Sequence, residues 1–426
     1  MDPGISEENE IGWNSCSKGS DMPVISYMGT KAALASDIAR SLSNLTPGPL
    51  LDLFAGMATI GRAVAPTRNV WLNDVQQFSR LTSEVQFLNC DGASLRKAAY
   101  RTACRTFEKH CATLSTEYRE QLEKEALALD KLDWATLASH AEDISSNTSV
   151  RLDVHHFHQK DYRLFVEIYA SSYFGIRQCI ELDALRKGID HAAPAYNEKL
   201  AGVRRWMLAA LGSAASRCSN STGHFAQYLT ASEMNVSRVV KQRRREILRE
   251  WQASLRSMTQ VGNYAWRKSN RIFNLDACNL LRDLNDSRMC PGVIYADPPY
   301  TSDQYSRYYH LLETLVLYDY PKVTGKGLYR PDRFVSSWSL KTKVRDSFET
   351  LIEQASQLGS SLVISYPTNG LLANSENVIP VMLSKHFRSH SRLTPRQHQH
   401  STMGASKGNH RTDVTEQIFV ASRAIS

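Results

Sequence analysis

Leu50-Leu51-Asp52-Leu53-Phe54-Ala55-Gly56-Met57-Ala58-Thr59-Ile60-Gly61 reads as an apolar strand that opens through small residues into a helix. This is the geometry of a ligand-binding first βα turn in an α/β sheet. Gly56 lets the backbone approach a ligand closely, and Gly61 lets the helix pack near the strand. A second apolar run, Val70-Trp71-Leu72, ends in Asn73-Asp74. Asp74 stands 22 residues past Asp52, about where a nucleotide fold carries the acid that binds ribose hydroxyls. Ala58 takes the middle-glycine position of a dinucleotide fingerprint. That argues against a pyrophosphate and fits a nucleoside ligand without phosphate, such as S-adenosylmethionine.

Far downstream, Gly292-Val293-Ile294-Tyr295-Ala296 reads as a buried strand bounded by prolines, and it runs into Asp297-Pro298-Pro299-Tyr300. The Asp297 carboxylate and the Pro298 carbonyl can both accept hydrogen bonds from one planar amino group. Pro298 and Pro299 have fixed φ and no N–H, so those acceptors are held still. Tyr300 offers a flat face for a base to stack on. Proline and aspartate are also ordinary turn residues, so the tetrapeptide alone equally suits a plain strand-to-turn junction. The rings of Tyr305, Tyr308, Tyr309 and His310 follow at once, and both base stacking and core packing are compatible with them.

Together these segments resemble the Dam-like class of DNA adenine-N6 methyltransferases. The resemblance is carried in order by Tyr27-Met28-Gly29-Thr30-Lys31, the Asp52-to-Gly61 turn, Asn73-Asp74, Asp276 after Ile272-Phe273-Asn274-Leu275, and Asp297 to Tyr300. Leu362-Val363-Ile364-Ser365-Tyr366 is similar to a Ser-Tyr pair that ends a later strand in that class. The resemblance implies an α/β fold: a Rossmann-like methyltransferase sheet interrupted by a large, mostly helical insert. It implies S-adenosylmethionine as cofactor, with Asp52, Gly56 and Lys31 at its methionine end, Asp74 at the ribose and Asp276 at the adenine amine. Tyr27 and Phe54 complete the cofactor set, and Asp297, Pro298, Pro299 and Tyr300 are the catalytic set.

The run Arg217-Cys218-Ser219-Asn220-Ser221-Thr222-Gly223-His224-Phe225 is similar, with one residue more between Arg and Asn, to the Arg-x-Asn-x-x-Gly-x-Phe loop with which that class contacts DNA around the target base. Arg217, Asn220, Gly223 and Phe225 are therefore expected at DNA, Phe225 as an apolar tip that fills the gap left by an extruded base. The plain alternative is a helix-connecting loop. Arg243 and Arg396 are expected to add phosphate contacts. The implied partner is double-stranded DNA, with a cognate restriction endonuclease or another defence-system partner compatible with the class.

Composition agrees with a DNA partner. Net charge is +8 over 426 residues, but its distribution is uneven. Residues 75–170 hold 12 Lys/Arg against 14 Asp/Glu, residues 171–270 hold 16 against 7, and residues 380–426 hold 7 against 2. The basic excess marks where a polyanion would lie. The length suggests two domains. A polar tail is expected at 1–22, a discontinuous catalytic domain at 23–89 and 271–426, and a helical target-recognition domain at 90–270. Residues 239–258 place Val240, Ile247, Trp251, Leu255 and Met258 on one helical stripe. Residues 388–413 read as a polar loop. Eight scattered cysteines lack the close pairs of zinc or redox motifs, and no apolar run is long enough to cross a bilayer, so a cytoplasmic setting is expected. His155-His156-Phe157-His158 has no thiolate or acid spaced to complete a site, and no metal is expected.

Three rival readings stand beside this one. Cytosine-N4 or an RNA base could take the methyl group instead; the acid at the first catalytic position favours adenine, where cytosine-N4 enzymes more often have Ser and RNA enzymes Asn. A catalytically inactive DNA-binding relative is opposed by the presence of Asp297, Pro298, Tyr300, Gly56 and Asp74. A nicotinamide-dependent oxidoreductase is opposed by Ala58 and the basic helical segment.

Overall fold

The computed structural model describes residues 31, 33–90, 92–139, 161–393, 396–401 and 411–422, with backbone alone at 396–401 and 411–414. The expected tail at 1–22, Tyr27-Met28-Gly29-Thr30 and the histidine cluster at 155–158 lie outside these residues.

The apolar runs form one mixed sheet. Its strands are β1 (Leu50–Asp52), β2 (Val70–Asn73), β3 (Arg271–Phe273), β4 (Val293–Ala296), β5 (Ser361–Pro367), β6 (Ser389–Arg392), β7 (Arg396–Ser401) and β8 (Arg411–Ser422). Their order is β3-β2-β1-β4-β5-β8-β6, with β7 also on β8. The first five are mutually parallel, and β8 runs antiparallel to β5, β6 and β7. Every residue of β1, β2, β4 and β5 is buried, as expected of parallel strands covered on both faces.

Alternate side chains feed two cores. Leu51, Trp71, Ile294, Leu362 and Ile364 meet the helices Ala277–Asp286, Val344–Gln357 and Ser375–His386. Leu50, Val70, Leu72, Val293 and Val363 meet the helices Ala35–Ser43 and Thr59–Val64 on the other face.

Between β2 and β3 the described residues hold helices and no strand. Helices Ala93–Glu117, Ile176–Ala192, Ala201–Cys218 and Ile247–Ser257 enclose a third core around Ile180, Leu185, Met207, Leu211 and Trp251. Leu311, Leu312 and Leu315 from helix His310–Leu317 join it and tie it to the segment after β4. Among the described residues no helix is long and apolar enough to cross a membrane.

Two sequence expectations are corrected. The stretch 388–413 is not simply a loop: β6 and β7 both pair with β8, whose length lets it serve two partners in succession. The stripe at 239–258 is not one helix but two, Val236–Arg243 and Ile247–Ser257. The break is made by another helix. Arg177 Nη2 donates to the carbonyls of Arg244 and Arg245 at 3.1 and 3.0 Å, while Glu181 Oε2 accepts from the Ile247 N–H at 2.6 Å. Both exposed helix ends are thereby satisfied from outside.

Candidate active site

Strand β1 lies between β2 and β4, the point at which the strand order reverses, so a crevice opens beyond its C-terminal end. Asp52 pairs in register with Tyr295, which brings the Gly56 turn and the Asp297 tip to the same edge. They line one cleft together with Lys31, Phe54, Asp74, Asp276, Pro298, Pro299 and Tyr300. It holds about 1030 Å³ of empty space, part of it open to solvent.

The turn after β1 is tight. Gly56 has φ +51°, and Ala58 has φ +59° just before helix Thr59–Val64. Left-handed backbone costs little at glycine but is strained at alanine, and such strain clusters at ligand sites. Asp74 holds the turn in place. Its carboxylate accepts from the Gly56 N–H at 2.9 Å, the Gln76 N–H at 2.9 Å and the Ser79 hydroxyl at 3.0 Å. Burial nevertheless keeps its pKa above the ordinary carboxylate value.

Asn73 fastens the neighbouring strand tips. Its Nδ2 donates to the carbonyls of Leu53 and Leu275, each at 3.0 Å, and its Oδ1 accepts from the Leu275 N–H at 3.1 Å. Asp276 begins helix Ala277–Asp286, with Oδ1 accepting from the N–H groups of Cys278 and Asn279.

Asp52 is 2% exposed and accepts from the Phe54 N–H at 3.3 Å. Burial first, then the charges of Asp297 and Asp74, push its carboxyl up to about 8 against that hydrogen bond. Lys31 faces the opposite pressure. Burial disfavours its charge, but the carboxylates of Asp297, at 2.9 Å, and Glu416, at 3.4 Å, hold its pKa above the usual lysine value. Its ammonium also lies 5.6 Å from the centre of the Tyr300 ring.

Tyr305, whose ring the sequence left open between stacking and packing, lines the cleft. Gln304, Phe334, Ser336 and Trp338 line it too, and no motif marks them. Gln304 Oε1 accepts from the Ser336 N–H at 2.7 Å, and the Ser306 hydroxyl donates to the Phe334 carbonyl at 2.7 Å. Trp338 meets Phe54 edge to face at 5.3 Å. Glu416 and Glu313 were also missed. Glu313 accepts from the N–H groups of Gln77 and Phe78 at the start of helix Gln77–Phe87, and burial raises its pKa to about 7. Tyr308, Tyr309 and His310 are core residues, and His310 Nε2 is 2.9 Å from the Phe225 carbonyl.

The residues expected at DNA are divided. Asn220 and Phe225 are 1% and 2% exposed, so neither offers its side chain to a surface here. Asn220 Nδ2 donates to the Leu229 carbonyl, and Phe225 packs in the helical core. Arg243 is likewise interior: it is 2% exposed, pairs with Glu125 at 3.3 Å and donates to the Ser171 carbonyl at 2.8 Å. Its place in a basic run misled, because the run includes an inward helix face. Arg217 is partly exposed and paired with Glu250 at 3.2 Å. Gly223, with φ +103°, turns the loop, and Thr222 is exposed beside it. The Arg396 side chain and Tyr27 lie outside the described residues.

Known proteins are similar to this chain in sequence. Type II methyltransferase M.FokI of Planomicrobium okeanokoites is 31% identical over 209 residues, 48% of this chain and 28% of that protein. Modification methylase LlaI of Lactococcus lactis subsp. lactis is 23% identical over 356 residues, 83% of this chain and 47% of that protein. Modification methylase StsI of Streptococcus sanguinis is 22% identical over 356 residues, 82% of this chain and 45% of that protein. The chain therefore spans about half the length of these relatives, or less. The model of the D12 class N6 adenine-specific DNA methyltransferases matches residues 27–361, and with the Asp297 tip facing the Gly56 turn across one cleft, the chain belongs to that family.

Proposed function

We propose that this chain transfers a methyl group from S-adenosylmethionine to the N6 amino group of an adenine flipped out of duplex DNA, at a specific site. The observation that carries the reading is the single cleft lined by both the Asp52-to-Gly56 turn and the Asp297-to-Tyr300 tip. Asp52, Asp74 and Asp276 give the turn's side of that cleft an acidic lining. That donor set fits a cationic nucleoside better than a polyphosphate.

When bound, the cofactor supplies a methyl group already activated by its sulfonium. The protein's part is positioning and local electrostatics. Asp297 and the Pro298 carbonyl accept the two amino hydrogens and draw the nitrogen toward a tetrahedral arrangement, which localises its lone pair. As the N–C bond forms, the methyl group's bond to sulfur would break and leave its electron pair on the sulfur, and the surplus proton is lost late, along the Asp297 hydrogen bond. Tyr300 stacks on the extruded base and offsets part of the few kcal/mol that flipping costs. Asp52 holds the cationic end of the cofactor, Gly56 gives its backbone close approach, and Asp276 takes the adenine amine. Asp74 reaches the ribose while also fixing the turn.

We assign the catalytic unit to 23–89 and 271–426, and target recognition to the helical segment 90–270. Duplex phosphates meet Arg238, Lys241, Arg244 and Arg249, all exposed, in place of buried Arg243. Relatives named as modification methylases support a cognate restriction endonuclease as partner. The test is incubation with duplex DNA and labelled cofactor, then digestion to nucleosides and mass spectrometry. The expected product is N6-methyladenosine in its deoxy form; N4-methyldeoxycytidine, or label in RNA alone, would replace this reading.

A further inference from the structure

We infer that Glu416, on β8, is a positioning residue for the transfer: it shares the Lys31 ammonium with Asp297 and so keeps the Asp297 carboxylate a strong acceptor for the target amine. This inference rests on the methyl-transfer reading above and adds a residue to it.

Antiparallel pairing of β8 with β5 places Glu416 opposite Pro367, and β5 in turn pairs with β4, which Asp297 directly follows. Glu416 is 1% exposed, and the Ser365 hydroxyl donates to its Oε1. That same oxygen lies 3.4 Å from Lys31 Nζ, and Asp297 Oδ1 lies 2.9 Å from the same Nζ. One buried cation thus serves two carboxylates.

The balance matters because each departure from it weakens Asp297 differently. With Lys31 and no Glu416, the ammonium would commit fully to Asp297 and drain charge from the oxygen that must accept the amine hydrogen. With Glu416 and no Lys31, two carboxylates would face each other in a buried site, and one would take up a proton. Only the three-membered arrangement leaves Asp297 both ionised and basic. Among the described residues, the titratable groups that feel the Asp297 charge include Asp52 at the tip of β1, Tyr295 on β4, and Tyr300 and Tyr305 beyond it. Of the groups named, Lys31 is the cation.

The experiment is single-turnover methylation of duplex DNA across pH, with cofactor saturating, for wild type, Glu416→Gln, Lys31→Met and the double variant. Glu416→Gln should lower the transfer rate about tenfold, the scale of a lost charge-assisted interaction, and move the acidic limb to lower pH. Lys31→Met should move that limb to higher pH. The double variant should return it toward the wild-type position, a reversal that loss of packing does not produce. Cofactor affinity of Glu416→Gln should match wild type by calorimetry. If Glu416→Gln does not fold, Ser365→Ala removes the donor that competes with Lys31 for Glu416 Oε1 while keeping the charge, and should move the limb to higher pH, by less than Lys31→Met. An unmoved limb, or limbs that move together in both single variants, overturns the inference while wild-type transfer upholds the functional reading. Absence of transfer by wild type overturns both.

Discussion

The acids at the cleft are distinguished by what surrounds them. Asp297 is the one proposed to touch the reacting amine, so Asp297→Ala should lower transfer on the order of 10²–10³ or more, as when one preorganised group is removed from a site. Calorimetry should find cofactor affinity nearly unchanged; an equal loss of both would mean that Asp297 acts on the cofactor. Asp52, pushed up to about 8 by burial, holds its proton at neutral pH. A cationic ligand favours the ionised form, so binding should expel that proton. Cofactor affinity should rise with pH up to about 8 and level off above it. Calorimetry in buffers of different ionisation enthalpy would detect the released proton, and Asp52→Asn should abolish both effects. The residue types at these tips were legible in the sequence because the chemistry restricts them so strongly. Glu416 and Gln304 were not, because an acid in a strand and an amide in a loop carry no signal until the fold names their neighbours.

Elements were legible wherever apolar period and turn chemistry agreed. β1, β2 and β4 fall where their apolar runs do. The split at 244–246 has no proline or glycine to announce it. It is imposed by Arg177 and Glu181, more than sixty positions away in sequence. Arg243, the last residue before that split, also faces inward. Its partner Glu125 also accepts from the Ile176 N–H at 2.9 Å, so Arg243→Ala should leave a buried carboxylate uncompensated. Urea denaturation should show a loss of about 3–5 kcal/mol, the cost of breaking a buried pair by removing one partner. Full stability with weakened DNA binding would return Arg243 to the DNA surface. Gly188 gives a second check. A Cβ there would come within 2.5 Å of the Ala103 carbonyl oxygen, where helices Ile176–Ala192 and Ala93–Glu117 meet. Gly188→Ala should therefore cost roughly 1–3 kcal/mol by overpacking; a neutral result in the same denaturation would contradict that helix contact.

At the scale of the molecule, the fold joins two motifs more than 200 residues apart by making them adjacent strand tips. That union was legible because each motif ends a strand and the sheet reverses between them. The path of the intervening helices was not, since their contacts are made of ordinary leucine, alanine and aromatic packing. Exposed Lys241 and Arg249 stand on this segment. Lys241→Ala should weaken duplex binding across all sequences and lower the salt slope by about one, without altering the site methylated. An unchanged slope would place the duplex elsewhere. The identity of the methylated base decides the proposed function. DNA from cells expressing the chain, sequenced by a method that detects modified adenine, should carry N6-methyladenine in one recurring sequence context and lose it with Asp297→Ala. Unmodified adenine with the intact chain, or a mark that persists in the Asp297→Ala variant, would contradict it.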